Sequence, residues 1–236
     1  GEGAHGIYNN GQSNETTIDA GGSIATTGIG ASGIANSGNS NKTDVAGSIT
    51  TQGETAYGIY NNGNNNKTIL AAGGSIVTTG DSAYSIYDRG TGNTTTLAGS
   101  VQTEGKDAYG IYRTDISNTV DFKATGSVTT KGEPAYGIYN VGDSNTTTIS
   151  GSIITGSDVT TSSKHGIYNL GDNNITILAS GGSITTTGVN TGGIIHAGDN
   201  NTAGVFGTVN SSGTGSAALN NASGTGNTFV LNETAV

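Results

Sequence analysis

The amino-acid sequence predicts an all-β fold: a right-handed parallel β-helix (β-solenoid) with three short strands per coil, about 26 residues per coil and eight to nine coils. Three observations carry that prediction. Of 236 residues 42 are Gly, only 31% are apolar and 11% charged, whereas a globular core draws on roughly half apolar residues. The motif GIY and its variants recur along the chain, anchored at Ile7, Ile34, Ile59, Ile86, Ile111, Ile138, Ile167, Ile194 and Leu219, at spacings of 25 to 29 residues. Seven residues after each anchor but the last stands an Asn: Asn14, Asn41, Asn66, Asn93, Asn118, Asn145, Asn174 and Asn201. Low charge, a single Pro (Pro134) and strong periodicity separate the chain from disordered polar sequences. Self-similarity at a fixed period is the signature of stacked repeats.

Each strand is read from one apolar column. The anchors form the first. The second is Ile18, Val45, Leu70, Leu97, Phe122, Ile149, Leu178, Val205 and Leu231, and the third is the β-branched residue of the GSI motif, Ile24, Ile49, Ile76, Val101, Val128, Ile153, Ile184 and Val209. Period-2 alternation then points Thr26, Thr51, Thr78, Thr103, Thr130, Thr155 and Thr186 inward, with Thr16, Thr43, Thr68, Thr95, Thr147 and Thr176 in the second strand. Inward Thr can pack its methyl and hydrogen-bond from coil to coil, so a polar-rich chain still gains an ordered interior.

The corners are read from Gly and Asn. Gly11, Gly38, Gly63, Gly90, Gly142, Gly171 and Gly198 precede the Asn by three residues and fit a corner of positive φ. The Asn column reads as a stacked ladder of side-chain amides. From the second apolar column to the third, the step alternates between six and four residues, so a ridge such as Ala20-Gly21-Gly22 recurs on every other coil without changing side-chain parity. Four residues are inserted within 156–164, a corner loop that holds Ser157, Asp158, Ser162, Ser163 and Lys164 and is a candidate binding loop. Right-handed winding follows from the crossover rule, and eight to nine coils at about 4.8 Å make a rod of roughly 40 Å. Residues 1–236 read as a single solenoid segment. They open in phase with the repeat, as a fragment of a longer array would.

Several classes are disfavoured. A net charge of −9 with scattered basic residues argues against nucleic-acid binding and docking on anionic lipid. No apolar run is long enough to span a membrane as a helix. Without Cys there is no thiolate chemistry. His5, His165 and His196 lack neighbouring ligands, and Asp143, Asp172 and Asp199 read as turn formers, so no metal, cofactor or catalytic group is expected. The Asn-x-Ser/Thr sequons fall on the Asn column and read as by-products of the repeat. The candidate contact surface is the outward column Tyr8, Tyr60, Tyr87, Tyr112, Tyr139 and Tyr168, together with the polar ladders. A second column, Tyr57, Tyr84, Tyr109 and Tyr136, lies near the preceding corner with undetermined parity.

AYGIYNNGNNNKT (from Ala56), AYGIYNVGDSNTTT (from Ala135) and the recurring GSIxTTG resemble the Gly/Asn/Thr-rich β-helical passenger domains of Gram-negative autotransporters over nearly the whole chain. That resemblance implies a non-catalytic adhesin or self-associating module at the cell surface or secreted. It also implies an outer-membrane β-barrel anchor, C-terminal to and outside these residues. The expected partners are the chain itself, side to side, or a host or cell-surface protein or glycan. Three rival readings stand beside it: a passive spacer rod, a glycan-binding module like a phage tailspike, and an ice-binding solenoid. The last requires a regular outward Thr array.

Overall fold

The computed structural model describes residues 1–156 and 163–232. Among the described residues it is all β with no helix: a parallel solenoid of about eight turns, each turn contributing one short strand to each of three sheets. The first sheet holds nine strands, from Ile7–Asn9 to Ala217–Asn221, the second nine, from Glu15–Ile18 to Thr228–Leu231, and the third eight, from Ser23–Thr26 to Thr208–Ser212. Each inner strand pairs in parallel with its equivalents one coil above and below, and the edge strands pair on one side. The predicted columns are the register partners, as in Ile59↔Ile86, Leu70↔Leu97 and Ile76↔Val101.

Alternation decides what the sheets bury. The three apolar columns converge in one continuous core, in which Ile34, Leu70, Ile111, Phe122 and Ile153 are fully buried. Both Thr columns face inward with them, Thr51, Thr78, Thr95 and Thr147 being fully buried. Most of their hydrogen bonds run within a coil, while Thr186 also donates to Ser211 of the next coil (2.7 Å). Thr51 Oγ1 donates to Ala56 O (2.7 Å) and Thr78 Oγ1 to Ala83 O (2.8 Å), closing the turn into the next strand.

The corner chemistry differs from expectation. Among the Gly that precede the Asn column, only Gly90 has positive φ. The left-handed residue is instead the one just before the Asn: Ser13, Ser40, Asn65, Ser117, Ser144, Asn173 and Asn200 at φ 57–59° or, for Asn200, 54°. Short polar side chains tolerate that region. The column Gly is needed because the coils touch there: a Cβ on Gly38 would lie 2.2 Å from Gly11 O, and one on Gly142 2.2 Å from Asp115 O. The Asn column also bonds differently. Each backbone N–H donates to the Oδ1 of the next Asn, as from Asn41 to Asn66 (2.8 Å) and Asn118 to Asn145 (2.9 Å). Amide-to-amide contact occurs at Asn14–Asn41.

A further inward column runs through the core, two residues after each anchor: Asn9, Asn36, Asn61, Asp88, Arg113, Asn140, Asn169 and His196. From Asn36 onward each is at most 1% exposed. Its hydrogen bonds are polarised. Nδ2 of Asn9 donates to Asn36 Oδ1 (2.8 Å), Asn36 to Asn61 (2.7 Å) and Asn61 to Asp88 (2.7 Å), while Asn36 and Asn61 also reach Thr43 and Thr68. Asp88, an acceptor only, ends this run. Arg113, a donor only, begins the next: Nε to Asn140 Oδ1 (2.6 Å), and the guanidinium to Asn118 O, Thr146 O and Thr147 Oγ1. Asp88 and Arg113 are register partners. Burial raises the Asp88 carboxyl against the opposing pull of the Asn61 hydrogen bond and the Arg113 charge, and burial lowers Arg113 to about 10, so the guanidinium stays charged at neutral pH.

The two deep histidines set a pH dependence. His196 takes the Asn position of its coil and stacks on Phe229 at 4.7 Å, and His165 is 7% exposed; burial lowers both to about 4. A depressed His favours the fold above its unfolded value near 6.5 and loses that contribution as pH falls toward 4. Asp88 acts with the opposite sign. The melting temperature is therefore expected to drop between pH 6.5 and about 5. Circular-dichroism melts of a variant carrying His165→Tyr and His196→Asn, the residues that other coils use, should show a flatter profile. An equally steep fall in that variant would assign the effect elsewhere.

Candidate functional site

All ten tyrosines lie on the outer face of the first sheet or at its entry, in two adjacent columns. In-register parallel pairing stacks equivalent side chains coil on coil, so the sequence repeat itself builds the file. One column is Tyr57, Tyr84, Tyr109, Tyr136 and His165, with ring centroids 4.9–5.3 Å apart and planes within 14° of parallel. The other is Tyr60, Tyr87, Tyr112 and Tyr139, at 5.0–5.4 Å and 25–27°, continuing edge-on to Tyr168. The columns meet edge to face, as Tyr84–Tyr112 at 4.8 Å and 64°. The second Tyr column thus shares the outward face, which settles its parity. Tyr8 is 56% exposed and packs on His5, set apart from the main file by Ser32 and Ala35 in the intervening coil.

This geometry fixes what the face can recognise. Stacked rings cover one another's faces, so solvent meets half-buried ring edges and phenol hydroxyls. Burial and neighbouring phenols push Tyr57 and Tyr136 up to about 12 and raise Tyr84 and Tyr109 as well, so the row is uncharged at neutral pH. Sugar recognition through open aromatic faces is unavailable along the file. The flanking outward column, Asn62, Arg89, Thr114, Val141 and Leu170, contributes one charge, Arg89, whose guanidinium is held up by the neighbouring Tyr60 and Tyr87. The exposed ion pairs, Lys42–Glu15, Lys42–Asp44, Lys123–Asp121 and Lys131–Glu104, all lie on or beside the other two sheets.

The other predicted sites fare differently. Asn41, Asn66, Asn93, Asn118, Asn145, Asn174 and Asn201 are at most 1% exposed, so the Asn ladder joins coils and is no contact surface. The sequons on it are buried with it. Asp143 and Asp172 accept the backbone N–H of the next coil's Asp at 2.8 and 2.7 Å, and Asp199 accepts that of Thr225 at 2.6 Å, so these carboxylates link coils. Of the candidate loop, Ser157, Asp158 and Ser162 lie outside the described residues. Ser163 is half-buried, but Lys164 is fully buried and ion-paired with Glu133 at 2.7 Å, so it cannot serve as an exposed loop contact. It fills the inward position held by Ala135 in the preceding coil. A cavity of about 210 Å³ opens at the final coil between Val205, Val209, Leu219 and Leu231, and its walls are the core columns themselves. The regular Thr columns are buried, which removes the outward array that ice binding would need.

Sequence reasoning missed the polar spine, although Asn9, Asn36, Asn61, Asn140 and Asn169 recur at a constant offset from the anchor. Two charged substitutions at Asp88 and Arg113 masked the column. No family model, curated protein or solved structure matches this chain. Fold and face together define a class: a repeat rod with one aromatic side.

Proposed function

We propose that the chain is a non-catalytic adhesion module of a bacterial cell surface that associates with further copies of itself, side to side, through the tyrosine face. The observation that supports this reading is the concentration of every Tyr on one outward face. On a molecule of net charge −9 that face is sparsely charged, with Asp107, Asp115 and Arg89 along its border. Like-charged rods approach with least repulsion where charge is sparsest. A strand width of about 15 Å over a rod of roughly 40 Å offers about 600 Å² per partner, below the about 800 Å² of a standard stable interface. Pairing is therefore weak for one module and becomes effective through many modules on facing surfaces. A protein or glycan on another cell, engaged through the hydroxyl row, is the heterologous form of the same adhesion. The autotransporter-like repeats support an exported location and a membrane-barrel anchor elsewhere in the protein. The spacer reading rests on a different observation, the stiff hydrogen-bonded interior, which serves a stalk equally well.

Sedimentation equilibrium from micromolar to millimolar protein tests it. Reversible association is expected, and Tyr60→Ser, Tyr87→Ser and Tyr112→Ser together should weaken it at least about tenfold, a loss of about 1.4 kcal/mol. A strict monomer over the whole range would leave the spacer reading in place.

A further inference from the structure

The rings that face solvent are also the most readily oxidised groups in the chain. Cys, Met and Trp are all absent, which removes the thiol and thioether that oxidants attack first. What remains is ten phenols, nine of them in one unbroken file from Tyr57 to Tyr168. Within the file Tyr84 and Tyr109 lie 5.0 Å apart at 4°, and Tyr109 and Tyr136 4.9 Å apart at 13°. The strands beneath them are locked in register, as Ile86↔Ile111 and Ile111↔Ile138. These neighbours stand 25 and 27 residues apart in sequence, so only the folded coil brings them together.

We infer that the tyrosine file is a site of oxidative phenol coupling, in which a peroxide-driven one-electron oxidant of the haem-peroxidase class joins rings of successive coils. Each of two phenols gives up one electron and one proton. The paired radicals form a carbon–carbon bond between ring positions ortho to the hydroxyls. Each ortho hydrogen then moves to its own oxygen and restores the phenol. Two phenols and one hydrogen peroxide yield one dityrosine and two waters. The half-buried phenols, on the outer face, release their protons to solvent, and stacked neighbours let an oxidised site migrate until two meet. The product is a covalent staple between coils, which opposes their separation under load. This inference does not depend on self-association.

The test treats the purified chain, at a concentration where it is monomeric, with a haem peroxidase and limiting hydrogen peroxide. Denaturing electrophoresis, intact mass and mapping of crosslinked peptides provide the readout. Expected are monomer-sized products that have lost two hydrogens per link, with Tyr84–Tyr109 and Tyr109–Tyr136 peptides joined. Their yield should exceed that of the urea-unfolded chain by at least about tenfold, since only the fold holds the rings together. Tyr109→Phe keeps a stacked ring and should abolish both links. Tyr8→Phe, outside the file, should leave both at parental yield. Coupling only between chains, equal yields in urea, or the same links in Tyr109→Phe would each overturn the inference.

Discussion

Arg113→Ala is expected to cost about 3–5 kcal/mol, because it deletes the donor that starts one hydrogen-bond run and leaves Asp88 buried without its counter-charge. Asp88→Asn alone should also destabilise, since it strands the Arg113 guanidinium as an uncompensated buried charge. The combined variant Asp88→Asn with Arg113→Asn behaves differently. It extends the Asn36, Asn61 pattern through to Asn140, with each amide able to donate to the next. Exchange of a buried charge pair for well-matched neutral groups is often neutral or stabilising. The pair should therefore fall within about 1 kcal/mol of the parent, a large favourable coupling in a double-mutant cycle. Denaturant unfolding of the four proteins measures it. Additive losses would show that the two residues act independently and that the spine is not one network.

The second large effect belongs to a glycine. Gly105→Ala should destabilise by about 3 kcal/mol, the upper part of the range for overpacking. A Cβ there would lie 1.9 Å from Gly80 O, and backbone oxygen in a register-locked coil cannot rotate away. The same approach recurs at Gly53 and Gly80, one coil on another. Gly21→Ala provides the contrast. Gly21 has φ 86° but open space around its Cβ position, so that change should cost only about 1–2 kcal/mol of backbone strain. Because each coil contacts only its neighbours, the Gly105 lesion should separate unfolding of the coils before and after it. Thermal melts and hydrogen exchange of the two variants check the order. Equal losses would mean that conformation, and not crowding, selects these glycines.

Comparison of sequence with structure shows which physics a repeat makes legible. Ile59, Leu70 and Ile76 announce the three strands because burial of one face imposes strict parity, and parity survives in sequence as a column. The outward setting of Tyr60 and Tyr87 follows from the same rule. Tyr57 and Tyr84 were ambiguous because Gly58 and its neighbours sit at a bend where alternation lapses. The spine was hidden for another reason: Asn, Asp, Arg and His share a hydrogen-bonding role but no obvious chemical class, and a polar residue beside an outward Tyr reads as surface. Positive φ at Ser13 and Asn65, rather than at Gly11 and Gly63, reflects a choice between conformational and steric demands for Gly that composition alone cannot make. Lys164 entered the core because the four-residue insertion changes its coil, and no column predicts the contents of an irregular coil.

The most direct test of the account is whether the tyrosine face is where two copies meet. Ring-labelled tyrosine reports on all ten side chains at once in nuclear magnetic resonance spectra, and amide signals of Ser75, Ser100 and Ser127 on the third sheet serve as the reference face. On raising the protein from micromolar to millimolar, concentration-dependent shifts are expected in the file from Tyr57 to Tyr168, with the serine amides unmoved. Association accompanied by shifts on the serine face and silent tyrosine rings would contradict that expectation.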